Sequence, residues 1–153
     1  MINQRQKFLR SVAIGSCLLA RQYGFNITVD AVEDRFSKER LKTFDNLIDF
    51  FKSSGIQINL VKIKKNELKK RAYILPAIAV MNDGASLIVT SIKTLIDNTE
   101  PVIQYIDPID PTSKVQELNW SIFEKSWAGR FVTVVRYSGH LTKDKFFNLS
   151  WFY

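Results

Sequence analysis

Over the first third of the chain, apolar positions recur at helical spacing. Between Ser11 and Tyr23, the residues Val12, Ser16, Leu19 and Tyr23 fall on one face with Ala13, Cys17 and Ala20 beside them, which predicts a helix closed by Gly24. Ser11, just ahead of that run, has the chemistry of an N-cap, a hydroxyl that accepts a hydrogen bond from an amide of the first turn. Val29 to Phe36 reads as a short second helix. Lys42 to Ser54 reads as a third, with Phe44, Leu47, Ile48 and Phe51 at i, i+3, i+4 and i+7 and Gly55 as its stop.

The periodicity then becomes that of a strand. Ile56, Ile58 and Leu60 alternate with Gln57 and Asn59, so a half-buried strand is expected there. Leu75 to Val89 has the form of a hairpin: a short apolar run, an Asp83-Gly84 turn that tolerates positive φ, and a second run rich in β-branched residues. Val102 to Ile106 is a further strand, halted by Asp107-Pro108-Ile109-Asp110-Pro111 because proline lacks the donor a ladder needs. Val115 to Glu117 is short and extended. Ser121-Ile122-Phe123-Glu124 has capping-box spacing and predicts a two-turn helix to Trp127 closed by Gly129, before Phe131, Thr133, Val135 and Tyr137 alternate in a last strand. Three helices, a sheet, and one crossing helix before a final strand predict an α+β fold in which the N-terminal helices pack on a largely antiparallel sheet.

No repeat, low-complexity tract or Gly/Ser linker interrupts residues 1–137, which are expected to form one domain. Residues 138–153 differ: a polar stretch from Ser138 to Lys145 leads into the aromatic Phe146 to Tyr153, which suits packing against an interface or the edge of a membrane.

Composition narrows the chemistry. At 153 residues, 46% apolar and 24% charged, the chain is an ordinary globular domain. No apolar run approaches the roughly 18 residues a membrane span requires, and the N-terminus lacks the apolar core of a signal peptide. Cys17 and His140 are the only cysteine and histidine, so neither an internal disulfide nor a thiolate-rich metal site is expected. A formal charge of +7 favours an acidic partner. The densest basic run, Val61 to Arg71, holds the cations Lys62, Lys64, Lys65, Lys69, Lys70 and Arg71 with no aromatic residue on which a base would stack, and reads as a solvated strand end and short helix.

Four short segments, in order, resemble one family. Arg21-Gln22-Tyr23-Gly24, Leu75 to Ala79, Asp107-Pro108, and Phe123 to Gly129 are similar to the helix end, strand, turn and Phe-x-x-x-Trp-x-Gly segment of the double-glycine cysteine peptidases fused to bacterial ABC exporters. The resemblance covers about residues 5–137 and implies a papain-like fold. Phe147 to Phe152 also resembles the junction ahead of the first transmembrane helix in haemolysin-type exporters, which implies that the chain is the front of a longer protein.

In the active peptidases of that family, a Cys at the start of the first helix attacks the peptide carbonyl. A His lowers its thiol pKa, an Asp orients the His, and a Gln helps to hold the oxyanion. At the family's spacing the nucleophile's place falls on Ser11, and the Gln's place falls on Arg5, with Gln4 and Gln6 on either side. The place of the His falls on Ala85 or Ser86, and that of the acid on Asp107, which also suits an ordinary turn. The resemblance therefore implies remnant positions at Ser11, Ser86 and Asp107 and no catalytic residue. Cys17 is too far inside the helix for the dipole to help it, and His140 lies beyond the last strand.

These readings give a non-catalytic peptidase-like domain at the N-terminus of a type I secretion ABC transporter. The resemblance places such a domain on the cytoplasmic side of the bacterial inner membrane, next to the membrane, with the rest of the transporter and an unfolded, acidic RTX-type secreted protein as partners. Nucleic acid is not expected. Lys62, Lys64, Lys65, Lys69 and Lys70 form the candidate substrate-binding face. No structural metal is expected with one Cys and one His, and no ATP is expected here because the chain has no Gly-x-x-x-x-Gly-Lys loop; ATP and magnesium would bind in a separate nucleotide-binding domain. The alternative is an active cysteine peptidase that cleaves a double-glycine leader during export.

Overall fold

The computed structural model describes residues 4–38, 41–94, 100–110, 112 and 114–137. The polar and aromatic segment expected over 138–153 lies outside the described residues, as does His140. Among the described residues, four α-helices, α1 (Gln4–Gln22), α2 (Val29–Ser37), α3 (Phe44–Lys52) and α4 (Trp120–Ser126), accompany six strands: β1 (Ile56–Lys62), β2 (Ala77–Met81), β3 (Ser86–Lys93), β4 (Val102–Ile106), β5 (Gln116–Asn119) and β6 (Trp127–Arg136). A 3-10 helix, Lys65–Ile74, joins β1 to β2. The strands form one sheet in the order β1-β6-β2-β3-β4-β5, and each described pairing is antiparallel. The α+β architecture expected from periodicity is the one observed.

Both faces of the sheet are covered, and residue parity along the strands decides which core each side chain joins. Ile56, Ile58, Ile78, Val80, Ile88, Val132 and Val134 face α1, α2 and α3 and pack on Leu9, Val12, Cys17, Leu47 and Phe51. Ala77, Ala79, Met81, Val89, Ile103 and Phe131 face the other way, onto Phe123 and Trp127 and onto Leu68 of the 3-10 helix. Every residue of β2 is therefore buried.

α1 is the central element, and it differs from its sequence reading at both ends. It begins at Gln4, so Ser11 lies in the helix interior, is 3% exposed, and has an Oγ with no hydrogen-bond partner among the described residues. Ser11 is thus not an N-cap. The polar stretch Gln4 to Lys7 is made of good helix formers, and Phe8 and Leu9 carry the apolar period backwards into the core. At the other end the Phe25 N–H reaches the Ala20 carbonyl at 3.1 Å and the Gly24 N–H reaches that of Arg21 at 3.1 Å, the closure expected of Gly24. Tyr23, expected on the apolar face, lies beyond the last helical residue and is 45% exposed.

α3 starts at Phe44 rather than Lys42, because Thr43 and Asn46 form a reciprocal capping box that fixes the first turn. The capping box expected at Ser121 does not form. Asn119 is the N-cap residue of α4, and the Ser121 hydroxyl instead donates to Glu100 Oε1 at 2.9 Å. Gly129 does not close α4 either. It sits inside β6 with φ +81, where the β2 register steps from Val80 opposite Arg130 to Met81 opposite Trp127. Ala128 and Gly129 are the extra residues of this bulge, whose left-handed backbone suits glycine. The bulge turns Trp127 wholly into the core, and its indole N–H donates to the Arg130 carbonyl at 3.0 Å.

Candidate functional site

The β2–β3 hairpin, α1 and the turn after β4 meet around one cleft of 310 Å³, lined by Lys7, Arg10, Ser11, Ala85, Asp107 and Ile109. Each element is held there by local chemistry. In the hairpin, the Ala85 N–H donates to Asp83 Oδ1 at 2.9 Å and the Gly84 N–H to the Met81 carbonyl at 3.1 Å, which closes a three-residue loop. The loop is docked by Asn82, whose backbone N–H and side-chain amide donate to the free carbonyls of Ser126 and Lys125 at the end of α4, at 2.8 and 3.1 Å. After β4, Asp107 Oδ1 accepts the Ile109 N–H at 3.0 Å, and the Asp107 carbonyl accepts the Asp110 N–H at 3.1 Å. At Gly15, α1 packs on β2 and on the turn after β4, where a Cβ would make ordinary van der Waals contact, 3.4 Å from Ile78 Cδ1 and 3.7 Å from Pro108 Cγ.

The structure thus brings Ser11, Ala85 and Asp107 to one cleft. Ser86 does not line it; its side chain is 1% exposed and its Oγ has no partner. Asp107 spends one carboxylate oxygen on its own turn. The charged residues nearest Ser11 are engaged elsewhere, since Arg10 forms a two-pronged ion pair with Glu33 at 3.1 and 2.9 Å, and Lys7 Nζ lies 3.5 Å from the Asp83 carbonyl. Among the described residues, no imidazole or thiol lines the cleft. Cys17 is fully buried, its thiol 3.8 Å from the Ile27 carbonyl, and burial pushes its pKa up despite the nearby Arg21 guanidinium. A thiol so placed is packing, not a nucleophile. On the cleft's flank, the Thr112 backbone N–H and then its hydroxyl hold the exposed Asp110 carboxyl below its ordinary range.

The basic run behaves less uniformly than its sequence suggests. Lys62 and Lys64 line a second cleft of 690 Å³ with Glu67, Gly129 and Arg130. Lys65 is turned away, donating to the Glu124 carbonyl at 2.7 Å, where it caps the end of α4. Lys70 is exposed but lines none of the clefts described here, and the Lys69 side chain lies outside the described residues. Arg130 also borders a third cleft of 390 Å³ with Arg5, Phe8, Leu9, Phe44 and Leu60. Sequence reasoning missed Arg130 and saw Arg5 only as the place of an absent Gln. Arg130 and Arg5 meet only through the packing of α1 beside β6, which no single segment displays. Among the described residues no cluster of His, Cys, Asp and Glu is arranged to hold a metal ion.

A helix packed against an antiparallel sheet, with a cleft between its side and a strand hairpin, is the arrangement that the resemblance to papain-like peptidases implied. Comparison with known proteins agrees: residues 12–138 match the model of the Peptidase C39 family, and the chain belongs to that family. Three solved structures share the fold. The peptidase domain of Streptococcus ComA, a bifunctional ABC transporter of a quorum-sensing pathway, is 17% identical with a TM-score of 0.62, over 89% of this chain and 95% of that one. A double-glycine motif protease from an AMS/PCAT transporter, solved with its leader peptide, is 12% identical with a TM-score of 0.61, over 83% and 85%. The N-terminal peptidase C39-like domain of the toxin secretion ATP-binding protein of Vibrio parahaemolyticus is 19% identical with a TM-score of 0.56, over 89% and 99%. No curated protein matches the chain in sequence.

Proposed function

We propose that this chain is the non-cleaving, substrate-holding peptidase-like domain of a haemolysin-type ABC exporter. One observation carries the reading: in the cleft of a peptidase fold, Ser11 and Ala85 line the wall together with Asp107, and none of the described residues that line it carries a thiol or an imidazole. A serine without a base is not a nucleophile at neutral pH. The Ser11 hydroxyl has no hydrogen-bond partner among the described residues, and Lys7, one turn before it, is directed to the Asp83 carbonyl. Retained scaffold with lost chemistry is what a binding role requires.

In this reading the domain holds an unfolded, acidic RTX-type protein on the cytoplasmic side of the inner membrane. Residues 1–137 form the binding domain, and 138–153 lead toward the membrane-embedded part of the transporter. ATP and magnesium act in the nucleotide-binding domain of the same exporter. The charge of +7 supports an acidic client. Relatives by fold include a toxin secretion protein's C39-like domain and the peptidase domain of a transporter. Affinity is weak, because a disordered client loses conformational entropy on docking.

The test is an NMR titration of the domain with unfolded acidic client while calcium is chelated. Amide shifts that saturate, with the client's mass unchanged, are expected. Absence of any shift at millimolar client would sink the substrate-holding role, and thiol-dependent cleavage after a double glycine would establish the rival reading, a leader peptidase.

A further inference from the structure

Lys62 of β1 and Arg130 of β6 are direct partners in the β1–β6 register. Like charges directly opposite on a strand pair destabilise it. An edge lysine is commonly explained as protection against strand addition, and β1 is an edge strand of the sheet. That explanation does not extend to Arg130, which lies on the second strand. Nor does it extend to Arg5, which stands in the first turn of α1, where no acidic residue offsets the partial positive charge of the helix terminus. Among the described residues, the side chains of Arg5, Lys62, Lys64 and Arg130 form no ion pair, although the structure contains such pairs at Arg10–Glu33 and Lys38–Asp34.

Apolar surface accompanies this charge. Phe8 and Phe44 stack with ring centroids 6.3 Å apart, and beside them Leu60 of β1 is 41% exposed. They line the same cleft as Arg5 and Arg130. Arg130 also borders the cleft that holds Lys62, Lys64 and the single acid Glu67, so the two clefts adjoin at this residue.

Resting on the proposed substrate-holding role, we propose that these joined clefts are the docking site for an acidic, extended polypeptide segment. A large apolar side chain of the client seats on Phe8, Phe44 and Leu60. Carboxylates on either side of it take Arg5 and Arg130, and a further acidic residue takes Lys62 or Lys64. The site is separate from the cleft of Ser11, Ala85 and Asp107, and no described residue lines both. A polypeptide fits better than a nucleic acid, because the centre of the site is an apolar floor and the adjoining free edge of β1 carries backbone groups that an extended chain can pair with.

The probe is a labelled synthetic peptide of alternating Asp and Leu, followed by fluorescence anisotropy on the 153-residue protein. Its Asn/Leu counterpart, an unfolded acidic client and a single-stranded oligonucleotide serve as comparisons. Arg5→Gln with Arg130→Gln is expected to weaken the Asp/Leu peptide about tenfold, the combined worth of two modest surface ion pairs. Leu60→Ser is expected to weaken both peptides. The reversed variant, Arg5→Glu with Arg130→Glu, is expected to exchange preference toward a Lys/Leu peptide, a gain that a misfolded protein would not show. If the client binds but none of these variants changes its affinity, the site is wrong and the substrate-holding reading stands. Failure of both client and peptide to bind the unaltered protein overturns both. An oligonucleotide that binds more tightly than the peptide, through the same arginines, overturns the assignment to a polypeptide.

Discussion

Lys62 and Arg130 stand directly opposite one another across the β1–β6 ladder, two cations in a position that favours opposite charge. The pair costs stability in the free domain and supplies positive charge to a cleft. Lys62→Glu converts it into an attractive pair and should raise stability by about 0.5 kcal/mol at low salt. Urea denaturation at low and high ionic strength checks this, since added salt should stabilise the wild-type protein more than the variant.

Ser11 is a buried helical residue whose hydroxyl has no partner among the described residues. Ser11→Ala removes an unsatisfied polar group and installs the best helix former, so the variant should be more stable by about 1 kcal/mol. A thermal melt measures it. A loss of stability would mean that the hydroxyl makes an interaction the structure does not contain. The same residue should resist labelling by a fluorophosphonate, which requires an activated serine.

Cys17 links pH to stability with a definite sign. Its folded pKa is raised by burial, so the unfolded chain releases the thiol proton first as pH rises. Stability from this residue is full below the ordinary thiol value of 9.0 and falls as pH climbs through the raised native value. Urea unfolding at neutral pH and above pH 9 should show a larger loss in the wild-type protein than in Cys17→Ala. In the native state the thiol should react with Ellman's reagent only as fast as the domain opens.

Trp127 anchors the second core. It is fully buried between Phe123 and Phe131, with ring centroids at 5.4 and 5.1 Å, and its indole hydrogen bond holds the Ala128-Gly129 bulge. Trp127→Ala should cost about 3–5 kcal/mol. Because the bulge precedes Arg130, Trp127→Phe, which keeps most of the volume and loses the N–H, should cost less stability yet weaken binding of the acidic peptide. Denaturation and anisotropy on the two variants separate these effects.

Local pattern carried much of this fold and stopped where long-range pairing begins. The alternation at Ile56, Ile58 and Leu60, the Asp83-Gly84 turn and the helical stripe through Leu47 and Phe51 are local, and each element stands where its period put it. Ser11 misled because a serine ahead of an apolar run imitates an N-cap, although Phe8 and Leu9 already continue the stripe backwards. Gly129 misled for a related reason: positive φ serves a helix stop and a strand bulge equally, and only the step in the β2–β6 register distinguishes them. The meeting of Ser11, Ala85 and Asp107 came from family resemblance rather than from periodicity. The Arg5, Lys62 and Arg130 cluster was illegible because its members lie far apart in sequence and are joined by the β1–β6 register and the packing of α1.

The central claim is that the domain holds its client without cutting it. Intact-mass spectrometry of an unfolded acidic client carrying a double-glycine leader, followed over time with the domain in excess, tests it most directly. The account predicts a single unchanged mass at every time point. A fragment ending at the double glycine, formed by the wild-type protein and lost on Cys17 alkylation or in Ser11→Ala, would contradict it.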